Sequence, residues 1–469
     1  MRKQYLTLLF SALCLLLALQ TSAQPQRPVQ SAYFNFGEKF FCEAHSIASP
    51  DKDSTKMVVL FKIMYDRLDF HQVPMNAKSM RGSYLATPFV LVEMRDDIGI
   101  IRYRKQWTDS IYAANYLQSN SRTDFVYGSL MASLPLGNYS ASLTLGDHEN
   151  QIIKRVDLPL THSIKTDTAK IYKPMFVEFS PTPSLRVVPI VSAGNARFSQ
   201  QIIRALVPVS GVKPGDSYSY SCSPVQLPDG SGTSNSEWGP IPTIGGMTKP
   251  ELRQYLTPDF STNSPSHQPY FLIEKAELKT ALSSLGLLDI TLAANAIAPG
   301  KYKLRIVKVG SRDTATHQFE VVWEDMPISF RNPRAIVESM YTILTDDEFD
   351  AVNSGSESEK RRHVIEYWQK KYPSGESVYN TTMAEFYRRV DYALFNFQGI
   401  AEPDGAKSER GKIYILHGPP TNIEKSIPAS SGQAQEIWTY SNKVKKKFTF
   451  ELNTSGVYKL KEIKDLAVK

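Results

Sequence analysis

The segment Gly405-Ala-Lys-Ser-Glu-Arg-Gly-Lys-Ile-Tyr-Ile-Leu-His-Gly-Pro-Pro420 restricts the fold more than any other stretch of this chain. A polar turn leads into an apolar run, Lys412 to Leu416, whose β-branched and aromatic side chains predict a strand. Gly418 then frees the backbone, and Pro419 and Pro420 remove two amide donors, so the element cannot continue past them. Three further runs predict strands: Glu436 to Tyr440, Lys447 to Leu452 and Val457 to Leu460. Phe448, Phe450 and Leu452 alternate with Thr449 and Glu451, which leaves one face wet, and Asn453-Thr-Ser-Gly456 reads as a hairpin turn.

Helical signals precede this sheet. Thr345-Asp346-Asp347-Glu348 places a hydroxyl and then carboxylates at a helix start. Ser356 to Tyr372 carries Val364, Trp368 and Tyr372 on one stripe and is ended by Pro373. Thr382 to Phe397 places Phe386, Val390, Ala393, Leu394 and Phe397 on one apolar face. Helices followed by an antiparallel sheet predict an α+β domain over 331–469, with the helices on one face.

The first half of the chain has a different rhythm. Short apolar runs such as Met57 to Tyr65, Ala86 to Met94 and Ile98 to Trp107 are separated by turn residues, as in antiparallel β structure. Leu134-Pro-Leu-Gly-Asn-Tyr-Ser-Ala-Ser-Leu-Thr-Leu145 resembles Ile297-Ala-Pro-Gly-Lys-Tyr-Lys-Leu-Arg-Ile-Val-Lys308. Each sets a glycine two residues before a tyrosine and then alternates into a strand. Two antiparallel, immunoglobulin-like (Ig-like) β-sandwich modules follow as the expectation, at 31–165 and 172–326. The second carries an insertion, 217–250, dense in Ser, Gly, Pro and Asn, which is expected not to order itself. Trp238 lies inside it, either tucked against the parent sandwich or presented as a contact residue on a loop.

The first 23 residues read as an export signal. Arg2 and Lys3 precede an apolar stretch, Leu6 to Leu19, and Thr21-Ser22-Ala23 offers small residues for cleavage. Cys14 sits inside the apolar stretch behind Leu13, where a lipid-anchored cysteine is not expected. The mature chain is therefore expected to be periplasmic or secreted, with no integral membrane segment. Loss of Arg2 and Lys3 takes the 54 basic residues to 52 against 47 acidic ones, a net charge of +5. So small an excess gives no nucleic-acid footprint, and lysines 443, 445, 446, 447, 459, 461 and 464 read as guards of a sheet edge. Cys42 and Cys222 are expected to be separate buried thiols.

No stretch carries a recognised catalytic or metal-ligating spacing. There is no His-Glu-x-x-His pair, no Cys-x-x-Cys, no Gly-x-Ser-x-Gly elbow and no Gly-rich phosphate loop, so no catalytic residue, metal or cofactor is assigned. His417, beside the Gly-Pro-Pro stop, reads as a turn histidine. Ser408, Glu409 and Arg410 read as a pin that holds the turn through charge-assisted hydrogen bonds, with Arg388 and Arg389 offering partners. The alternative is a hydrolase on glycans or peptides that uses Glu409 and His417, with Glu436 nearby.

These same residues carry a family resemblance. Tyr341-Thr-Ile-Leu-Thr-Asp-Asp-Glu-Phe349, Glu366-Tyr-Trp368, Asn380 with Phe386-Tyr-Arg-Arg-Val-Asp-Tyr-Ala393, Arg410 to Pro420, Glu436-Ile-Trp-Thr-Tyr440 and Phe448-Thr-Phe450 occur in the order of the GWxTD domain family. The resemblance spans about Arg331 to Leu460. Where that family has Gly-Trp-x-Thr-Asp, this chain has Gly405-Ala406-Lys407-Ser408-Glu409, which keeps a hydroxyl and a carboxylate but not the indole. The resemblance implies an exported bacterial protein of the Bacteroidetes type with a β-rich amino-terminal portion. The expected role is a non-catalytic binding or scaffolding module for a protein or glycan partner in the cell envelope.

Overall fold

The computed structural model describes residues 39–466, except 74–81, 180–185, 260–267, 294–296, 430–431 and single positions at 122, 148, 150, 229, 231, 235, 279, 376 and 443. The leader-like residues 1–23 and Lys443 fall outside the described residues. No helix among the described residues is long and apolar enough to cross a membrane.

The chain is β-rich and mostly antiparallel, and four of its sheets stack face to face. Sheet I joins Phe40–Ala48, Ser54–Met64 and Phe125–Pro135. Sheet II runs Ile152–Asp157, Asn138–Gly146, Phe89–Asp96 and Ile101–Thr108 in spatial order. Sheet III is built around Leu285–Leu292, Ile203–Ser210, Met175–Phe179, Arg186–Pro189 and Tyr270–Lys275. Sheet IV runs Ala196–Arg197, Thr314–Val322, Gly300–Lys308, Tyr218–Pro224 and Ile244–Thr248, with only the first of these pairing parallel to its neighbour.

The strand period of two explains the stacking. On sheet I, Cys42, Ala44, Met57, Val59 and Phe61 meet Val90, Val92, Leu143 and Leu145 of sheet II. The alternate residues Phe41, Ile47, Val58 and Leu60 meet Met175, Val177, Leu206 and Phe271 of sheet III. Sheet III in turn sends Phe176, Ala205, Val207, Leu288 and Ile290 toward Tyr302, Leu304, Ile306 and Val321 of sheet IV. Sheet I is thus buried on both faces, which is why Met57 to Met64 reads as a nearly unbroken apolar run. The one cation in that run, Lys62, is buried and bonded to buried Glu324 at 2.6 Å.

The two repeated hairpins adopt the same local geometry. Tyr139 donates its hydroxyl proton to the Pro135 carbonyl at 2.8 Å, and Tyr302 donates to the Ala298 carbonyl at 3.0 Å. Both tyrosines are buried. Cys42 and Cys222 are not joined in a disulfide and are buried in different clusters.

The stretch 217–250 corrects the sequence expectation, because much of it is ordered in sheet IV. Tyr218–Pro224 pairs on one side with Gly300–Lys308 and on the other with Ile244–Thr248. Composition undervalued it because backbone hydrogen bonds on both edges do not depend on apolar side chains.

After Glu324 the chain turns helical: α1 (Ile328–Arg331), α2 (Pro333–Glu338), α3 (Asp346–Val352), α4 (Glu357–Lys371), α5 (Thr381–Asn396) and α6 (Glu409–His417). Capping boxes at Thr345/Glu348 and Ser356/Glu359 start α3 and α4. Helices α1 to α5 share one continuous core with sheets III and IV. A separate cluster of Trp438, Tyr440, Phe448 and Phe450 belongs to sheet V, ordered Asn422–Ser426, Gln435–Tyr440, Lys446–Leu452 and Tyr458–Asp465. Lys459, Lys461 and Lys464 lie on its Tyr458–Asp465 edge strand.

Candidate functional site

Helix α6 overturns the strand expected at Lys412 to Leu416. Ser408 caps it by accepting the Gly411 N–H at 2.9 Å, Glu409 occupies the first turn, and Gly418, with φ of 78°, closes it. The Gly-Pro-Pro stop halts a helix as readily as a strand, so it did not discriminate. Packing decided the outcome: Ile415 turns into the helical core, and Tyr414 stacks on Tyr392 of α5 with ring centroids 4.4 Å apart.

The structure brings Gly405, Ser408, Glu409 and Arg410 together at the start of α6. Gly405 lies so close to the end of α5 that a Cβ there would sit 2.3 Å from the Ala393 carbonyl oxygen and 2.6 Å from the Gln398 nitrogen. The buried Ser408 hydroxyl donates to the Gly405 carbonyl at 2.7 Å. Glu409 accepts the backbone N–H of Leu460, and its other oxygen lies 3.6 Å from Lys459 Nζ. Arg410 donates to the buried Glu436 at 2.8 Å and lies over the Tyr458 ring at 4.0 Å. The partners of Glu409 therefore come from sheet V. The two arginines expected beside it are used elsewhere: Arg388 pairs with Asp325 at 2.6 Å, and Arg389 with Glu385 at 2.8 Å.

His417 sits at the far end of α6, against the rings of Tyr440 and Phe448. Burial, reinforced by the charges of Lys446 and Arg389, pushes its imidazole below the ordinary value. It lies eight positions after Glu409, about 12 Å along the helix axis, so the two do not face one reacting atom. Trp238 is remote from both. Its ring packs on Phe198 at 5.0 Å, Trp323 at 6.1 Å and Phe330 at 6.2 Å, where sheet IV meets the helices. The adjacent Glu237 pairs with Arg361 of α4 at 3.2 Å.

Beside the Gly405–Ser408 turn lies a cleft of about 880 Å³. Its walls are largely apolar, from Ile328, Phe349, Val390, Leu394, Phe395 and Ile415, with Tyr341 exposed at the edge. Charged groups stand on the rim: Glu338 holds Arg334 at 2.5 Å and Lys407 at 3.1 Å, and Asp404 and Lys412 also line the cleft. Burial alone would raise the Glu338 carboxyl, but the hydrogen bonds from Arg334 and Lys407 outweigh it and hold it below the usual range. Asp404, Ala406 and Lys407 form the wall nearest the motif segment. Sequence reasoning missed this cleft. The signal present was Phe395, an aromatic residue one position outside the buried stripe of α5.

Together the stacked sheets, the helical layer and the pinned turn define a β-rich, mostly antiparallel multidomain protein with a few helices. Residues 303–464 match the family model of the GWxTD domain, and this chain carries that domain. The match begins inside the strand Gly300–Lys308, earlier than the residue 331 at which the motifs place its start. No curated protein matches the chain. A solved structure described as "Biofilm associated protein - BSP domain" aligns with 9% identity and a TM-score of 0.16, over 62% of this chain and 52% of that one. The chain thus spans about half the length of that structure, and so low a score carries no argument about fold.

Proposed function

We propose that this chain is a non-catalytic, exported protein of the cell envelope, and that the cleft beside the Gly405–Ser408 turn holds an apolar segment of a protein partner. The observation that carries this reading is the cleft itself, largely apolar, with one charged cluster on its rim. The polar groups of the neighbouring motif support it, because Ser408 is taken up in capping α6, and Glu409 and Arg410 in holding it to sheet V. Export rests on the leader-like residues 1–23.

The test places a photo-crosslinking amino acid at Tyr341 in the native host, with Glu424 on the exposed strand Asn422–Ser426 as control. A discrete adduct at Tyr341, absent at Glu424 and lost when Leu394→Arg fills the cleft, supports the reading. No adduct at Tyr341, or one indifferent to Leu394→Arg, defeats it. Turnover of a polysaccharide or peptide by the purified chain, lost in Glu409→Gln, would replace it with a hydrolase.

A further inference from the structure

A second cavity, of about 520 Å³, opens between sheets I and III, far along the chain from the motif turn. The strand Phe40–Ala48 directs Phe41, Glu43, His45 and Ile47 toward sheet III. Phe41 and Ile47 join the apolar layer there, yet Glu43 and His45 between them are only 3% and 6% exposed. One Glu43 oxygen accepts the Gly194 N–H at 2.9 Å. The other lies 3.5 Å from His45 Nε2, and neither of those two atoms makes a hydrogen bond.

Two more buried polar atoms nearby have no hydrogen-bond partner: Ser192 Oγ and His317 Nε2. Ser192 begins the turn Ser192–Asn195, closed by the Asn195 N–H on the Ser192 carbonyl at 3.0 Å. Ala193 and Gly194, with φ of 56° and 78°, hold that turn in the left-handed region. A buried polar atom without a partner costs on the order of 1–3 kcal/mol. Two of these residues, His45 and His317, line the cavity and call for a polar occupant, and the volume falls within the roughly 300–1,000 Å³ of small-ligand sites.

The lining specifies the occupant. The two imidazoles in it, His45 and His317, donate or accept, which suits hydroxyl groups. The buried Tyr172 supplies an apolar wall for a ring face. The Lys173 ammonium, exposed at the mouth and close to His317, makes no ion pair among the described residues and suits a single negative charge.

We propose that this cavity binds a small polyhydroxylated ligand bearing one carboxylate, of the uronic-acid sugar class, with its hydroxyls on His45 and His317 and its carboxylate on Lys173. The site adds to the partner-binding reading but rests on other residues, so either can fail alone.

The test is calorimetric titration of the mature chain with glucuronate and galacturonate, against glucose (hydroxyls without charge) and acetate (charge without hydroxyls). One uronate is expected to bind with a dissociation constant on the order of 0.1–1 mM. Glucose and acetate should bind at least about tenfold more weakly, a gap of ~1.4 kcal/mol. Lys173→Met, a change at the exposed mouth, should erase the preference for the uronate over glucose. His45→Gln should abolish binding of both sugars, with His317→Gln replacing it if that variant does not fold. Absence of saturable binding by both uronates, glucose binding as tightly as the uronate, or an unchanged Lys173→Met titration would overturn the proposal.

Discussion

Gly405 shows how a single hydrogen atom decides the geometry of the motif turn. Its missing Cβ lets the chain pass against the last carbonyls of α5, and the added methyl of Gly405→Ala would meet backbone on two sides. That variant should lose about 2 kcal/mol of stability by the measure of overpacked cores, read from the urea midpoint. An unshifted midpoint would mean that the turn relaxes. Arg410→Ala tests the neighbouring pin. It strands Glu436, buried and, among the described residues, left with Lys425 at 3.6 Å, and should cost about 3 kcal/mol, while Arg410→Ala with Glu436→Gln should recover most of the loss. The residue types at 405 and 408–410 were legible as a pin because hydroxyl, carboxylate and guanidinium adjoin one another. Their partners were not, since Leu460 lies 51 residues from Glu409 and no local pattern reports a contact at that range.

Among the elements, the long amphipathic helices and their caps followed directly from spacing. Helix α5 buries Phe386, Val390 and Ala393 of the stripe read from the sequence. Helix α6 did not follow, because Ile413 and Ile415 favour a strand in isolation, and the helix comes from the packing of Tyr414 on Tyr392 and Trp438 and of Ile415 in the helical core. This element also carries a pH response. His417 is held below its ordinary value in the folded protein, by burial first and then by Lys446 and Arg389, and His317 is lowered as well. A base with a depressed folded pKa contributes stability that is complete above its unfolded pKa, about 6.5, and is lost as pH falls through the folded pKa. The melting temperature should therefore be level above about pH 7 and fall toward pH 5, before most carboxylates titrate near pH 4. His417→Gln should make that fall shallower. An unchanged slope would assign the effect elsewhere.

Across the whole molecule, Lys62 and Glu324 tie the amino-terminal sheets to the start of the helical region. Lys62 also lies over the rings of Phe41 and Phe125, at 4.6 and 4.8 Å. Burial is the largest influence on its ammonium and lowers its pKa, against the pull of Glu324. Lys62→Met leaves a buried carboxylate with, among the described residues, Arg197 at 3.9 Å, and should destabilise the protein by about 3 kcal/mol. Lys62→Met combined with Glu324→Leu should come within about 1 kcal/mol of the parent, because a buried pair replaced by packed apolar groups is often neutral. Denaturant melts of the three proteins decide this.

The sheet that is greasy on both sides has a mechanical meaning. A strand layer clamped between neighbours has no free surface on which to slide or swing. Three successive gaps of about 10 Å therefore add to a strut roughly 30 Å deep. Whatever grips the far end of that strut is held at a set reach and bearing from the first sheet, as a bracket holds its load off a wall.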